Sequence, residues 1–241
     1  MDDAAEPPQR GAPRRQASTS DRPYGAYRWI INLCLVSLAL VLASPTGSRA
    51  DRPVKDRPVK LLALGDSLTA GYGLPSDQSF TAQLQAALRA QRLDVTVING
   101  GVSGDTSAGG LARLDWLLAD KPDCVIVELG ANDGLRGLDP QVTYANLDTL
   151  LTRLGERKIP VLLTGMLAPP NLGREYGAQF KSVFPKLAEQ HKVLFYPFFL
   201  DGVAADSALN QADFIHPNAK GVAVIVARLM PVVKQLIGGP A

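Results

Sequence analysis

The sequence predicts an α/β protein, a doubly wound α/β/α three-layer sandwich around about five parallel strands. Three observations lead there. Short, continuously apolar runs such as Leu61–Leu64, Cys124–Leu129 and Val161–Thr164 read as strands buried on both faces. Stretches with apolar residues at helical spacing lie between them. Strictly alternating strand and helix patterns close into a parallel sheet covered by right-handed crossovers. In such a sheet ligands bind beyond the carboxyl ends of the strands, so the loops after Leu64, Ile98, Leu129, Thr164 and Pro197 are expected at one mouth.

The first fifty residues differ from the rest. Arg14, Arg15, Arg22 and Arg28 precede an apolar run from Trp29 to Ala43, and small residues follow up to Ser48-Arg49-Ala50. The run falls short of the roughly 20 residues that span a bilayer. Residues 1–50 therefore read as a signal peptide with a long basic region, cleaved after Ala50, and an uncleaved anchor is the alternative. This predicts a periplasmic or secreted protein with no membrane span in its mature form. Cys34 leaves with the signal, so the mature chain keeps one thiol, Cys124, inside a strand pattern and expected to be buried and inert. Residues 51–58 begin a tandem DRPVK and read as a solvated linker; the folded domain is expected over residues 59–241.

Along that domain Val59–Leu64 forms the first strand, and Ser79–Arg92 a helix carrying Phe80, Leu84, Ala87 and Leu88 on one face. Val95–Ile98 is a short β-branched strand. Leu111–Ala119 is helical, with Asp105 or Thr106 as N-cap. Cys124–Leu129 is a strand, and Pro140–Lys158 a long helix with proline in its first turn. Val161–Thr164 is a strand, and Arg174–Lys192 a helix that Pro185 is expected to kink or divide. Val193–Pro197 is a fifth strand, and Ala219–Ile237 closes the chain as a helix kinked at Pro231.

Composition narrows the chemistry. Residues 51–241 carry equal numbers of basic and acidic side chains, and no basic stripe interleaved with aromatics argues for nucleic acid. Two histidines, no HExxH and no paired cysteines argue against a zinc site, and no cofactor is implied. His191 lies in a polar stretch and reads as solvent-facing. His216 stands three residues after Asp213, just before the last helix, and a carboxylate there can orient the ring. Gly65-Asp66-Ser67-Leu68 puts a serine on a strand-to-helix turn. A serine, a base and an orienting carboxylate are the parts of acyl-transfer chemistry. Gly104, in a glycine-rich loop, can offer a backbone N–H, and Asn132 a side-chain amide that donates without titrating.

The blocks GDSL around Ser67, SGDT around Gly104, GAND around Asn132 and DFIHP around Asp213 and His216 resemble the four blocks of the SGNH subgroup of GDSL hydrolases. Order and spacing agree from about Val59 to Ile237. Leu111–Leu114 and Val127–Gly137 resemble its periplasmic thioesterase/lysophospholipase/arylesterase branch. The resemblance implies a flavodoxin-like sandwich and a serine esterase acting on acyl esters and thioesters through an acyl-enzyme. In it Ser67 would be the nucleophile, His216 the base and Asp213 its orienter. The oxyanion hole would be Ser67 N–H, Gly104 N–H and Asn132. The expected partner is a small acyl ester, thioester or lysophospholipid. Apolar residues including Met166, Leu167, Pro169 and Tyr176 are expected to bind its acyl chain. The competing readings are a carbohydrate acetylesterase and a silent lipid- or glycan-binding module on the same fold.

Overall fold

The computed structural model describes residues 57–238. The signal peptide, its cleavage point, Cys34 and most of the linker lie outside the described residues. The described residues cluster as one compact unit. Five parallel strands order as β2-β1-β3-β4-β5: β1 Val59–Gly65, β2 Val95–Gly101, β3 Cys124–Glu128, β4 Val161–Thr164 and β5 Leu194–Tyr196. The chain starts in the middle, moves to one edge, then returns and winds the other way. That is the flavodoxin-like order with its switch point between β1 and β3.

Eight α-helices are described: α1 Ser67–Ala70, α2 Phe80–Ala90, α3 Ser107–Ala112, α4 Leu114–Leu118, α5 Ala131–Leu135, α6 Pro140–Glu156, α7 Arg174–His191 and α8 Ala219–Gly238. α2 packs with α8, while α3 and α7 each pack on α6. β4 and β5 touch both α7 and α8, so helices cover both faces of the sheet. The central strands are accordingly apolar throughout: Leu61, Leu62, Leu64, Val125, Ile126, Val127, Leu162 and Leu163 have no solvent exposure. α8 is long and apolar enough to cross a membrane by length and composition alone. Here it buries Val222, Ile225, Val226, Leu229 and Val233 against the core.

Several boundaries differ from the sequence expectation. β2 runs on through Asn99 to Gly101, because β1 offers register partners as far as Gly65. The helix expected over Leu111–Ala119 begins earlier, capped by Thr106, and is broken at Arg113. Neither Pro185 nor Pro231 interrupts its helix. Both prolines lie on exposed faces, where water can satisfy the freed carbonyl. His191 is not solvent-facing: its side chain is 15% exposed, and Nε2 lies 2.7 Å from Asp148 Oδ1 across the α6–α7 contact. Cys124 is buried, as expected of a strand residue.

Candidate active site

Ser67 follows directly on β1 and opens α1. Asp66 caps that helix, its Oδ1 accepting from Leu68 N at 3.0 Å. The turn is tight because Gly65 has no side chain. A Cβ there would lie 2.1 Å from Thr69 Oγ1 and 2.5 Å from Glu128 Oε2. The serine is thus held, half-buried, at the carboxyl edge.

His216 arrives from the far end of the chain. Its Nε2 is 3.0 Å from Ser67 Oγ, and its Nδ1 is 2.6 Å from Asp213 Oδ2. Asp213 Oδ1 also accepts from the backbone N–H groups of Ile215 and His216, each at 3.0 Å. Phe214 takes φ +60 to make this turn. The backbone N–H of His216 is the main cause that draws the Asp213 carboxyl down to about 2; burial opposes it, and the bonds from the His216 ring and Ile215 N add to the lowering. A carboxylate only accepts, so Nδ1 carries the ring proton and Nε2 is left to accept from the serine hydroxyl. The Tyr72 ring packs on the imidazole, centroids 4.6 Å apart. Gln211 fastens the two loops, its Nε2 donating to Tyr72 O at 2.8 Å and Pro217 O at 3.0 Å.

Gly104 sits beyond β2 with φ +86, a conformation glycine adopts without strain. Arg136 Nη2 donates to its carbonyl at 2.9 Å. Asn132, in the first turn of α5, donates from Nδ2 to Asp66 Oδ2 at 3.0 Å and to Asp105 O at 2.9 Å. Both amide hydrogens are therefore directed at protein acceptors. Under α5, the buried Asp133 accepts from Ser107 N at 2.8 Å, Ser107 Oγ at 2.5 Å and Thr143 Oγ1 at 3.2 Å. These bonds lock α3 and α6 to α5, which carries Asn132.

Beneath the serine lie two buried carboxyls that stand outside the expected set. Glu128, the last residue of β3, accepts on Oε2 from Thr69 Oγ1 at 2.7 Å and from Asp66 N at 3.3 Å. Burial, with Asp66 nearby, pushes its pKa well up. Burial likewise raises Asp66 to about 6, opposed by the bonds from Leu68 and Asn132. Tyr72 and Arg113 are also absent from the expected set: Tyr72 lies outside the four blocks, and Arg113 lies in Leu111–Leu114, where nothing in the sequence shows its partners; Glu128 shows in the sequence only as a charge ending an apolar run.

The expected acyl-binding residues divide. Leu167 is exposed and Pro169 half-buried beyond β4. Met166 is 2% exposed and belongs to the core, because the chain is still inside the layer there. Tyr176 donates its hydroxyl to Leu138 O at 2.7 Å and stacks on Phe180. Its ring therefore also ties α7 to the loop after α5. A hollow of about 390 Å³ lies at the opposite edge of the sheet, lined by Ile159, Pro160, Val193 and Leu194, and holds none of these groups. Among the described residues, no cluster of His, Cys, Asp and Glu is arranged to hold a metal ion.

A parallel α/β sandwich with a serine, a histidine and a carboxylate in line at its carboxyl edge defines the class of serine hydrolase. The chain belongs to the GDSL-like Lipase/Acylhydrolase family, which it matches over residues 63–224. It is similar to an arylesterase of Vibrio mimicus, 42% identical over 76% of this chain and 89% of the relative. It is also 42% identical to thioesterase 1/protease 1/lysophospholipase L1 of Escherichia coli K12, over 66% of this chain and 75% of the relative. The crystal structure of TesA superposes with a TM-score of 0.71 at 42% identity, covering 73% of this chain and 99% of that one. The protein is an ester-hydrolysing enzyme of the SGNH type.

Proposed function

We propose that the enzyme hydrolyses acyl esters and thioesters at Ser67 by way of an acyl-enzyme. The observation that carries this is the line Asp213 Oδ2–His216–Ser67 Oγ, with successive separations of 2.6 and 3.0 Å. Ser67 Oγ adds to the acyl carbonyl as its proton passes to His216 Nε2. The imidazolium is stabilised by Asp213, which stays ionised. The departing alcohol or thiol takes the proton from Nε2. Water then repeats the two steps and releases the acid. The oxyanion is received by the N–H groups of Ser67 and Gly104 and by the Asn132 amide, which surrenders or shares the hydrogen it gives to Asp105 O or Asp66 Oδ2.

Lipophilic acyl groups fit the surroundings. Tyr72, Val102, Leu135, Leu167, Phe214 and Ile215 are all exposed; Leu167 follows β4, and the others stand on the segments that bear the catalytic groups. The described surface spends little of its large apolar exposure elsewhere, chiefly at Trp116 and Val142. Acyl chains of a p-nitrophenyl ester, a thioester or a lysophospholipid would lie along these side chains. Residues 1–50 serve as the export signal in this reading, and the enzyme works outside the inner membrane on esters met there.

The test is a hydrolysis profile over p-nitrophenyl esters of increasing chain length, with an acyl thioester, a lysophospholipid and an acetylated sugar alongside. Butanoyl to octanoyl esters are expected to be the best substrates, with the rate lost in Ser67→Ala. Preference for the acetylated sugar would instead make this a carbohydrate esterase.

A further inference from the structure

We infer that Arg113 is a positioning residue that closes a ring of hydrogen bonds around the oxyanion hole, fixing the spacing of its three donors. This rests on the serine-hydrolase reading above. Starting at the nucleophile turn, Asp66 Oδ2 accepts from Asn132 Nδ2 at 3.0 Å, and the same nitrogen donates to Asp105 O at 2.9 Å. The Asp105 carboxylate accepts from Arg113 Nε at 2.5 Å. Arg113 Nη2 donates to Gly65 O at 2.7 Å, and Gly65 is bonded to Asp66, where the ring began. Arg113 Nη1 donates to Gly100 O at 2.6 Å and so adds the end of β2. Gly65 O takes a second donor, Val102 N at 3.1 Å, which gives both lone pairs a partner.

Each donor of the hole is one covalent step, or none, from a member of this ring. Ser67 follows Asp66, Gly104 precedes Asp105, and Asn132 is itself a member. Asn132 thus ties the segment after β3 to Asp105 and Asp66, and one planar guanidinium joins the ends of β1 and β2 to Asp105. Lysine cannot replace it, because an ammonium on a flexible stem does not present three donors in a fixed fork. The side chains of Arg113 and Asp105 are each 18% exposed, so their pairing is largely sheltered from solvent. The break between α3 and α4 falls at Arg113, with φ −101 and ψ 3. Gly109 makes room for the pair, since a Cβ there would come within 2.6 Å of Asp105 Oδ1.

Positioning of this kind acts on the tetrahedral state and leaves the ground state alone. A displacement of about 1 Å in a donor can cost about 100-fold in rate. Arg113→Lys is therefore expected to lower kcat for p-nitrophenyl butanoate by about 10- to 100-fold, with KM within about twofold. Butylboronic acid, which becomes tetrahedral when Ser67 Oγ joins its boron, should lose affinity in parallel with kcat/KM. Inhibition by butanoate, which stays planar, should be unchanged. A purely structural role would move both inhibitors together. A kcat within about twofold of the parent protein, or equal loss of both inhibitors, would overturn the inference. Should Arg113→Lys fail to fold, Asp105→Asn decides: it keeps the two carbonyl bonds, and about a fivefold fall in kcat with the same split between inhibitors is expected. Ser67→Ala separates the two levels of argument. If it is inactive while Arg113→Lys matches the parent, the ring alone is wrong; if it still hydrolyses esters, the serine reading falls and the ring with it.

Discussion

Asp213 uses its two carboxylate oxygens for two tasks. Oδ1 builds the turn by accepting from Ile215 N and His216 N, and Oδ2 selects the imidazole tautomer by accepting from Nδ1. Asp213→Asn separates them. Asparagine can still accept both backbone N–H groups, but an amide placed against Nδ1 donates to it and moves the ring proton to Nε2. That nitrogen can then no longer take the serine proton. The fall in kcat is expected near 10⁴-fold with the fold intact by circular dichroism; a loss under about tenfold would show that tautomer control is not what Asp213 provides. Ser67, Gly104 and Asn132 were singled out because each stands in a short polar block soon after an apolar run, and Asp213 and His216 because a carboxylate three residues before a histidine can orient its ring. Arg113, Asp66 and Glu128 were not, because their partners lie far off in the chain: Glu128 meets Thr69 and Asp66, and Arg113 meets Gly65. His191 misled for the same reason. Its polar neighbours in sequence hid the apposed Asp148 on α6.

At the scale of the element, strand positions followed from apolar runs, while helix ends proved harder to read. Helices expected to reach Arg92, Lys158 and Lys192 stop one or two residues earlier, and those residues take left-handed φ values of 60, 55 and 53. Glycine is the usual signal for such a stop. A lysine or arginine there gives no such sign, although its charge suits the carbonyl end of a helix. α1 and α5 went unseen because one or two turns carry no periodicity. Glycines inside elements make a direct test of packing. A Cβ on Gly155, in α6, would meet nothing within 4 Å, whereas a Cβ on Gly101 would come 2.3 Å from Ala70 N. Gly155→Ala should stabilise the protein by about 0.5–1 kcal/mol through helix propensity. Gly101→Ala should destabilise it and reduce activity, since β2 presses on the backbone of α1. Thermal unfolding and esterase rates check both; the reverse ranking would contradict this packing.

For the molecule as a whole, the two carboxyls buried under the nucleophile link stability to pH. Glu128 and Asp66 both have folded-state pKa values above those of the unfolded chain. Each therefore binds its proton more tightly when folded, and stability falls as pH rises from the unfolded value, about 4, through the folded one. Glu128→Gln keeps an acceptor for Thr69 and Asp66 N but cannot ionise. Its melting temperature should be close to the parent's near pH 4 and exceed it by a growing margin towards pH 8; a margin that is constant or shrinks over that range would refute a buried, proton-holding Glu128. Asp66 contributes with the same sign, since its burial remains in both proteins. The parallel sheet and the edge that bears the site were legible from apolar runs and loop chemistry; the flavodoxin-like strand order was implied only by the resemblance. The ring that rigidifies that edge is a property of the assembled fold. The most direct measurement is the mass of the intact protein after reaction with a fluorophosphonate, followed by peptide mapping. One adduct on the peptide containing Ser67 is expected, absent from Ser67→Ala and formed far more slowly in His216→Ala. Stoichiometric labelling elsewhere, or undiminished labelling of Ser67→Ala, would contradict the account.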